Sequence, residues 1–349
     1  MMTRRISNII AAALLLCSCV HEFPEATTPA QVDITLTFNT DMPYYMTRKF
    51  PEETSTLPSK STPENDAMFA PDYSGHDKYD IRYIVEAYRK IGNGAYSTQP
   101  ARRWVFTDED ATAMDDYSFS VTLDEGKYIF RAWADFVNEG SADMLYYDAS
   151  NWSYGIWFDH LKYVGNSDTR DAFVGNTEVQ VIRYGSEIEP VSGVIEMKRP
   201  HGKYVFITND LAEFIDRNMK GQQFDINDYT IVVEYLPFLP QRYSIINDRS
   251  VWSVETARYE SKLTRIDDNR ALMGFDYILT GTNDDTFVTC QLKIKDRQGN
   301  NLAEHANIKI PLNANMYTII EGRFMMQESS GGVAIDPGFN GPDIVVPVN

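Results

Sequence analysis

Val32, Ile34, Leu36 and Phe38 alternate with Asp33, Thr35, Thr37 and Asn39 near the start of the chain. A strict period of two puts each set of side chains on its own face, so this run predicts a β-strand with one face buried. Residues 80–89 and 103–106 predict strands on either side of a Gly92-Asn93-Gly94 turn. Residues 119–123 and 128–137 predict two more, flanking Asp124-Glu125-Gly126-Lys127. Short strands follow at 178–182 and 194–198. In the second half the same texture predicts strands at 204–207, 229–235, 257–266, 271–279, 286–295, 306–311 and 317–324, with a hairpin turn at Asp296-Arg297-Gln298-Gly299-Asn300. One segment has helical spacing instead. Asn209 or Asp210 stands as a cap, Leu211, Phe214 and Ile215 share one face, and Gly221 closes the helix. Many short strands and one short helix make this an all-β chain.

Two stretches break the pattern. Residues 48–76 are rich in Pro, Ser, Thr and Glu, bury too little to order themselves and predict a long mobile loop. Residues 138–175 mix Tyr146, Tyr147, Trp152, Tyr154, Trp157, Phe158 and Tyr163 with Gly, Asp and Asn at no sustained period, which predicts a long excursion with short structured pieces. Length also matters here, because 349 residues suffice for two domains. The boundary is expected at Gly185-Ser186, giving an N-terminal β-sandwich over 32–185 and a C-terminal one over 186–349. Leu123-Asp124-Glu125-Gly126-Lys127-Tyr128 has the spacing of a tyrosine corner, in which the phenol bonds back to upstream backbone where the chain changes sheet. That points to a Greek-key sandwich.

The chain begins with Arg4 and Arg5, an apolar run from Ile9 to Leu16, and Leu16-Cys17-Ser18-Cys19. A charged start, a short apolar core and a small residue ahead of the cut describe a secretory signal over 1–18. Leu16 and Ser18 at positions minus three and minus one from Cys19 resemble the bacterial lipobox, whose cysteine is cut at its amino side and lipidated; Cys17 fits less well. An ordinary signal peptide or an uncleaved anchor is the alternative, but the apolar run is too short to span a bilayer. Residues 19–31, with Glu22, Pro24, Glu25 and Pro29, then read as a tether between lipid and fold. The formal net charge of −18 argues against nucleic acid and against anionic lipid as a binding surface, since both repel a polyanion. Contact with a membrane is thus expected through the anchor alone. With Cys19 lipidated, Cys290 has no partner for an intramolecular disulfide, and its place among Val288, Leu292 and Ile294 makes it a small buried hydrophobe.

Candidate chemistry is sparse. No HExxH, CxxC, Walker loop, GxSxG or GxGxxG is present, and His21, His76, His160, His201 and His305 form no helical pair, each reading as a solvated or locally bonded ring. Asp108-Glu109-Asp110 with Asp115-Asp116, and Asp267-Asp268-Asn269, lack the spacing of a calcium loop and read as solvated turns. Neither a metal nor a cofactor is expected, and an enzyme is disfavoured. Trp152, Tyr154 and Trp157 are the one candidate ligand platform, since flat aromatic faces stack on the apolar faces of sugar rings. Packing beneath a long loop is the competing reading of the same three residues.

Several segments resemble a group of Bacteroidetes surface lipoproteins related to fimbrillins. They include Gly126-Lys127-Tyr128-Ile129-Phe130-Arg131-Ala132-Trp133-Ala134-Asp135 and Thr169-Arg170-Asp171-Ala172-Phe173. In the second half, Phe206-Ile207-Thr208-Asn209-Asp210-Leu211, Tyr235-Leu236-Pro237-Phe238-Leu239-Pro240, the run from Ile310 to Thr318 and Gly332-Val333-Ala334-Ile335-Asp336-Pro337-Gly338-Phe339 are similar to matching segments of fimbrillin-like (Mfa-like) proteins. The resemblance implies two tandem transthyretin-like sandwiches, an outer-membrane, surface-exposed location, and a role in adhesion or fimbria assembly as an anchor or accessory subunit whose partners are other fimbrial subunits. A surface glycan-binding lipoprotein is the rival. Stalk subunits of such systems are cut by a trypsin-like protease after an early strand, and Arg48 stands at the matching place here. It is the candidate protease-sensitive bond, with a plain solvated loop residue as the alternative.

Overall fold

The computed structural model describes residues 29–40, 44–51, 71–72, 78–109, 114–184, 187–188, 191–219, 223–281 and 286–326. Strands dominate, and α1 (Leu211–Met219) is the one α-helix among the described residues. The first sandwich packs a three-stranded sheet, in the order β11 (Val191–Met197), β1 (Ala30–Phe38), β5 (Tyr117–Leu123), against a four-stranded sheet, in the order β4 (Arg102–Asp108), β3 (Tyr79–Arg89), β6 (Gly126–Asn138), β8 (Ala172–Val181). Its core is made by the facing sides of the two sheets: Val32, Ile34 and Leu36, Val121 and Leu123, and Ile195 and Met197 meet Ile81, Tyr83, Val85, Phe130, Ala132, Ala134 and Phe173. The second sandwich sets a five-stranded sheet, β17 (Thr264–Arg265), β18 (Ala271–Leu279), β12 (His201–Thr208), β21 (Met316–Gly322) and β2 (Tyr44–Phe50), against β16 (Arg258–Lys262), β13 (Thr230–Tyr235), β19 (Thr286–Lys295) and β20 (Asn301–Leu312). A three-stranded sheet of β15 (Arg249–Ser253), β14 (Leu239–Ser244) and β7 (Ile156–Trp157) lies beside it, and β9 (Arg183–Tyr184) pairs with β10 (Glu187–Ile188).

The corner forms as its spacing predicts. β5 and β6 belong to opposite sheets, and at the turn between them the Tyr128 hydroxyl donates to the Asp124 carbonyl at 3.0 Å. Gly126 lies under the Tyr128 ring with φ +158°, where a Cβ would sit 3.2 Å from the ring edge. The helix differs in one detail. Asp210 precedes α1 and its carbonyl accepts from Phe214 N at 2.9 Å, but its carboxylate is spent on the backbone N–H groups of Met325 and Met326 at 3.2 and 3.0 Å.

The sheets do not divide at Gly185-Ser186. β11 lies after that point yet flanks β1 in the first sandwich, and β2 lies far before it yet forms the edge of the second. The excursion explains why the halves interlock. Tyr147, Ala149, Trp152, Ile156 and Phe158 cover the outer face of β3 and β6, burying Ile84 and Trp133 there, and β7 pairs with β14 across the seam. β6 is consequently buried on both faces from Ala132 to Val137, so its pattern is continuous where a half-exposed strand would alternate. A buried and a half-buried arginine pin the layer. Arg82 holds Asp135 in a two-pronged pair at 2.9 and 2.6 Å and donates to the Ala142 and Tyr147 carbonyls, while Arg103 donates to the Ala149 carbonyl at 2.6 Å.

Candidate functional site

β1 is the element with the most to say about function, because it follows directly on the expected tether. It is the central strand of its sheet, parallel to β11 from Val32–Val191 to Phe38–Met197 and antiparallel to β5 from Ala30–Leu123 to Leu36–Tyr117. The buried face carries Ala30, Val32, Ile34 and Leu36. Full burial of a Val, Leu or Ile is worth about 1.5–3 kcal/mol, so this face alone holds β1 firmly. On the solvent face Thr35 and Ser118 hydroxyls meet at 2.9 Å and the Ser120 hydroxyl donates to Asp33 at 2.5 Å. Without β1, both neighbouring strands would present open edges above an apolar floor, the condition in which a sheet accepts a foreign strand.

Beyond β1 the chain crosses to the second sandwich under restraint. Phe38 packs edge-on against Phe173 at 5.3 Å, and Arg199 donates to the Thr40 carbonyl from a position fixed by its fully buried pair with Asp171 at 2.7 Å. β2 then runs parallel to β21, with Arg48 opposite Ile320 and Lys49 opposite Glu321, which it also meets as an ion pair. Arg48 is therefore a strand residue, 9% exposed, and not part of the flexible segment the sequence predicts. The physical reason is that Met46 and Arg48, two positions apart on an edge strand, share its inward face and are both buried. Most of the predicted 48–76 loop, the signal at 1–18, Cys19 and the tether up to residue 28 lie outside the described residues.

The aromatic platform does not assemble. Trp152 is 2% exposed within the core shared by the two halves, with the Arg103 guanidinium 5.4 Å from its ring centre. Tyr154 is 57% exposed and stacks on Arg242 at 4.1 Å, and Trp157 is half-buried where β7 meets β14. The three rings have no common face. A polar cleft of about 590 Å³ lies nearby, lined by Asn176, Thr177, Glu196, Lys198, Tyr243 and Asp248 among others.

Sequence reading missed the buried charges between the halves. Arg170 stands 3.4 Å from Asp276 and 4.3 Å from the centre of the Tyr163 ring, and donates to the Val164 carbonyl at 2.9 Å. Asp276 in turn accepts from the Tyr163 and Tyr235 hydroxyls at 2.6 and 2.7 Å. Burial pushes the Asp276 carboxyl and the Tyr163 and Tyr235 phenols upward, with Arg170 pulling the other way at Asp276 and Tyr163. His201 is also inside, not solvated: it is fully buried, meets the Tyr147 hydroxyl at 3.0 Å and is held well below the ordinary histidine range, first by burial and then by Arg170 and Arg199. The one signal in the sequence was Thr169-Arg170-Asp171-Ala172-Phe173, whose two charges directly precede the apolar run Ala172-Phe173-Val174. Cys290 is buried on β19 and burial pushes its thiol up, as its neighbours predict. Among the described residues no three of His, Cys, Asp and Glu gather as a metal requires, and no helix is long and apolar enough to cross a membrane.

No curated protein matches the sequence. Solved structures match over most of the chain at low sequence identity. The fimbrial anchor protein Mfa2 from Porphyromonas gingivalis is 13% identical over 79% of this chain and 82% of its own, with a TM-score of 0.40. A candidate adhesin from Bacteroides thetaiotaomicron is 13% identical over 81% of each chain, with a TM-score of 0.41. A candidate cell adhesion protein from Bacteroides eggerthii is 12% identical over 84% of this chain and 87% of its own, again at 0.41. The profile of one protein family covers residues 25–348, and the chain accordingly belongs to that family, described as a family of unknown function (DUF6562).

Proposed function

We propose that this is a non-enzymatic, lipid-anchored protein of the outer-membrane surface that acts by protein contacts, as a fimbrial anchor or accessory subunit in adhesion or fimbria assembly. The observation that carries the reading is the double engagement of the N-terminal segment. β1 is the central strand of its sheet in the first sandwich and β2 completes the edge of the second, so the segment that follows the expected tether engages both sandwiches. An anchor needs that continuity, because load passes from partner to membrane through this one segment. A subunit that gives up its first strand needs the opposite, a free bond after it. The resemblance of its segments to fimbrillin-like proteins supports the same role, and Cys19 is the residue that would carry the acyl chains. The glycan reading has no such support, since Trp152 lies in the core.

Deletion of the gene should change the number, length or retention of fimbriae seen by negative-stain electron microscopy, and Cys19→Ala should move the protein from the membrane to the soluble fraction. Unchanged fimbriae would remove the assembly role, and an unmodified amino terminus on membrane-extracted protein would remove the anchor.

A further inference from the structure

Lys203 and Asp168 come from different parts of the chain and meet in a nearly dry pocket. Asp168 opens a short 3₁₀ turn, Asp168–Arg170, at the end of the aromatic layer, and Lys203 lies on β12. Lys203 Nζ stands 2.7 Å from Asp168 Oδ1, and the two side chains are 3% and 9% exposed. The rings of Phe275, Tyr277 and Tyr317 surround Nζ, with centres at 4.4, 4.9 and 5.7 Å. The Tyr277 hydroxyl donates to Oδ1 at 2.6 Å, and the backbone N–H of Asp72 donates to Oδ2 at 2.8 Å. The carboxyl group is thus met by an amine, a hydroxyl able to pass a proton, and a backbone donor on its second oxygen.

Taking two opposite charges out of water is costly even when they pair. Burial pushes the Lys203 ammonium below the ordinary lysine value, against the pull of Asp168. Transfer of one proton across the contact leaves a neutral amine beside a neutral carboxylic acid. The amine is then a nucleophile held against an electrophilic carbon, an arrangement whose effective molarity reaches roughly 10⁵–10⁸ M. Condensation removes both buried charges, so the burial that penalises the ion pair favours the product.

We propose that Lys203 and Asp168 condense to an intramolecular isopeptide bond. Nζ, as –NH₂, attacks Cγ of the Asp168 carboxylic acid, and the oxyanion that develops on Oδ2 faces the Asp72 N–H. Nζ gives up one proton, relayed through the Tyr277 hydroxyl, to the departing Oδ1–H. One C–N bond forms, one C–O bond breaks, one water leaves, and no oxidant or reductant takes part. The link closes residues 168–203 into a covalent loop and ties the aromatic layer to the second sandwich. An exported chain that retains Cys290 as its one thiol beyond Cys19 has no disulfide with which to do this. The inference is independent of the anchor reading.

Full-length protein extracted from cells, denatured and digested with trypsin, should give one branched species joining residues 163–170 to 199–217, uncut after Lys203 and lighter by one water than the two peptides together. Lys203→Arg, which keeps the charge but offers no comparable nucleophile, should give linear peptides from a folded protein, and Tyr277→Phe should lower the branched fraction. Recovery of linear 163–170, together with the peptide that ends at Lys203, in full yield from the unaltered protein would overturn the proposal and leave an ordinary buried ion pair. Persistence of the branched species in Lys203→Arg would overturn it too.

Discussion

The Tyr128 hydroxyl and the Trp152 ring are single groups whose removal tests the packing around them. Tyr128→Phe deletes the bond to the Asp124 carbonyl and little else, so it should cost about 1 kcal/mol, read as a lowered melting temperature. An unchanged melt would reduce the corner to a simple turn. Trp152→Ala removes a fully packed ring from the layer between the halves and should cost about 3–5 kcal/mol by denaturant titration. A folded variant of full stability would return Trp152 to the surface. His201 links stability to pH. Its ring meets Tyr147 and Tyr277, with Arg170 and Arg199 close enough to repel a proton. Above about pH 6.5 the ring is neutral in both folded and unfolded chains. As pH falls below that, the unfolded ring binds a proton that the folded ring refuses, and stability drops by up to about 1.4 kcal/mol per pH unit until the depressed folded value is reached. Urea titrations from pH 7 to pH 5 should show this slope, and His201→Gln should flatten it.

Among the elements, β1 and β2 decide how the protein is handled at the surface. A trypsin-like protease has to draw an extended segment into its cleft, and Arg48 sits within a seven-residue ladder on β21 with its side chain turned inward. Cutting there requires β2 to peel from its edge first. Protein recovered from cells should therefore be intact across Arg48, as amino-terminal sequencing and intact mass would report. A terminus at Lys49 in most molecules would make this a polymerising subunit instead of an anchor. The same ladder explains why the sequence predicts a loop from Arg48 onward: Arg48 and Lys49 look like loop residues, and only pairing with Ile320 and Glu321 supplies the reason for a strand.

Across the whole molecule, the halves share what a domain normally keeps to itself. β11 completes the first sandwich from beyond the expected boundary, β2 completes the second from before it, and one hydrophobic cluster runs through the aromatic layer from Trp133 to Tyr243 and on to Ile294. The molecule should unfold in one calorimetric transition, and separate expression of 1–185 and 186–349 should give insoluble halves because each lacks an edge or central partner. Two resolved transitions, or a soluble folded half, would show that the shared layer contributes little.

The sequence by itself determined what depends on near neighbours. Alternation made β1, β5 and β19 legible, runs rich in apolar residues marked β3, β6 and β18, the helical spacing of Leu211, Phe214 and Ile215 marked α1, and Leu123-to-Tyr128 marked the change of sheet, because each signal lies within a dozen residues. The tertiary structure decided everything that rests on contacts between distant segments. Which half owns β2 and β11, why Trp152 is core while Tyr154 is surface, and how Arg170 finds Asp276 and Lys203 finds Asp168 are all settled by pairings across tens to hundreds of positions. A buried charge reads in sequence like a solvated one. What separates them is the partner that the fold brings within hydrogen-bonding distance, and no local pattern encodes it.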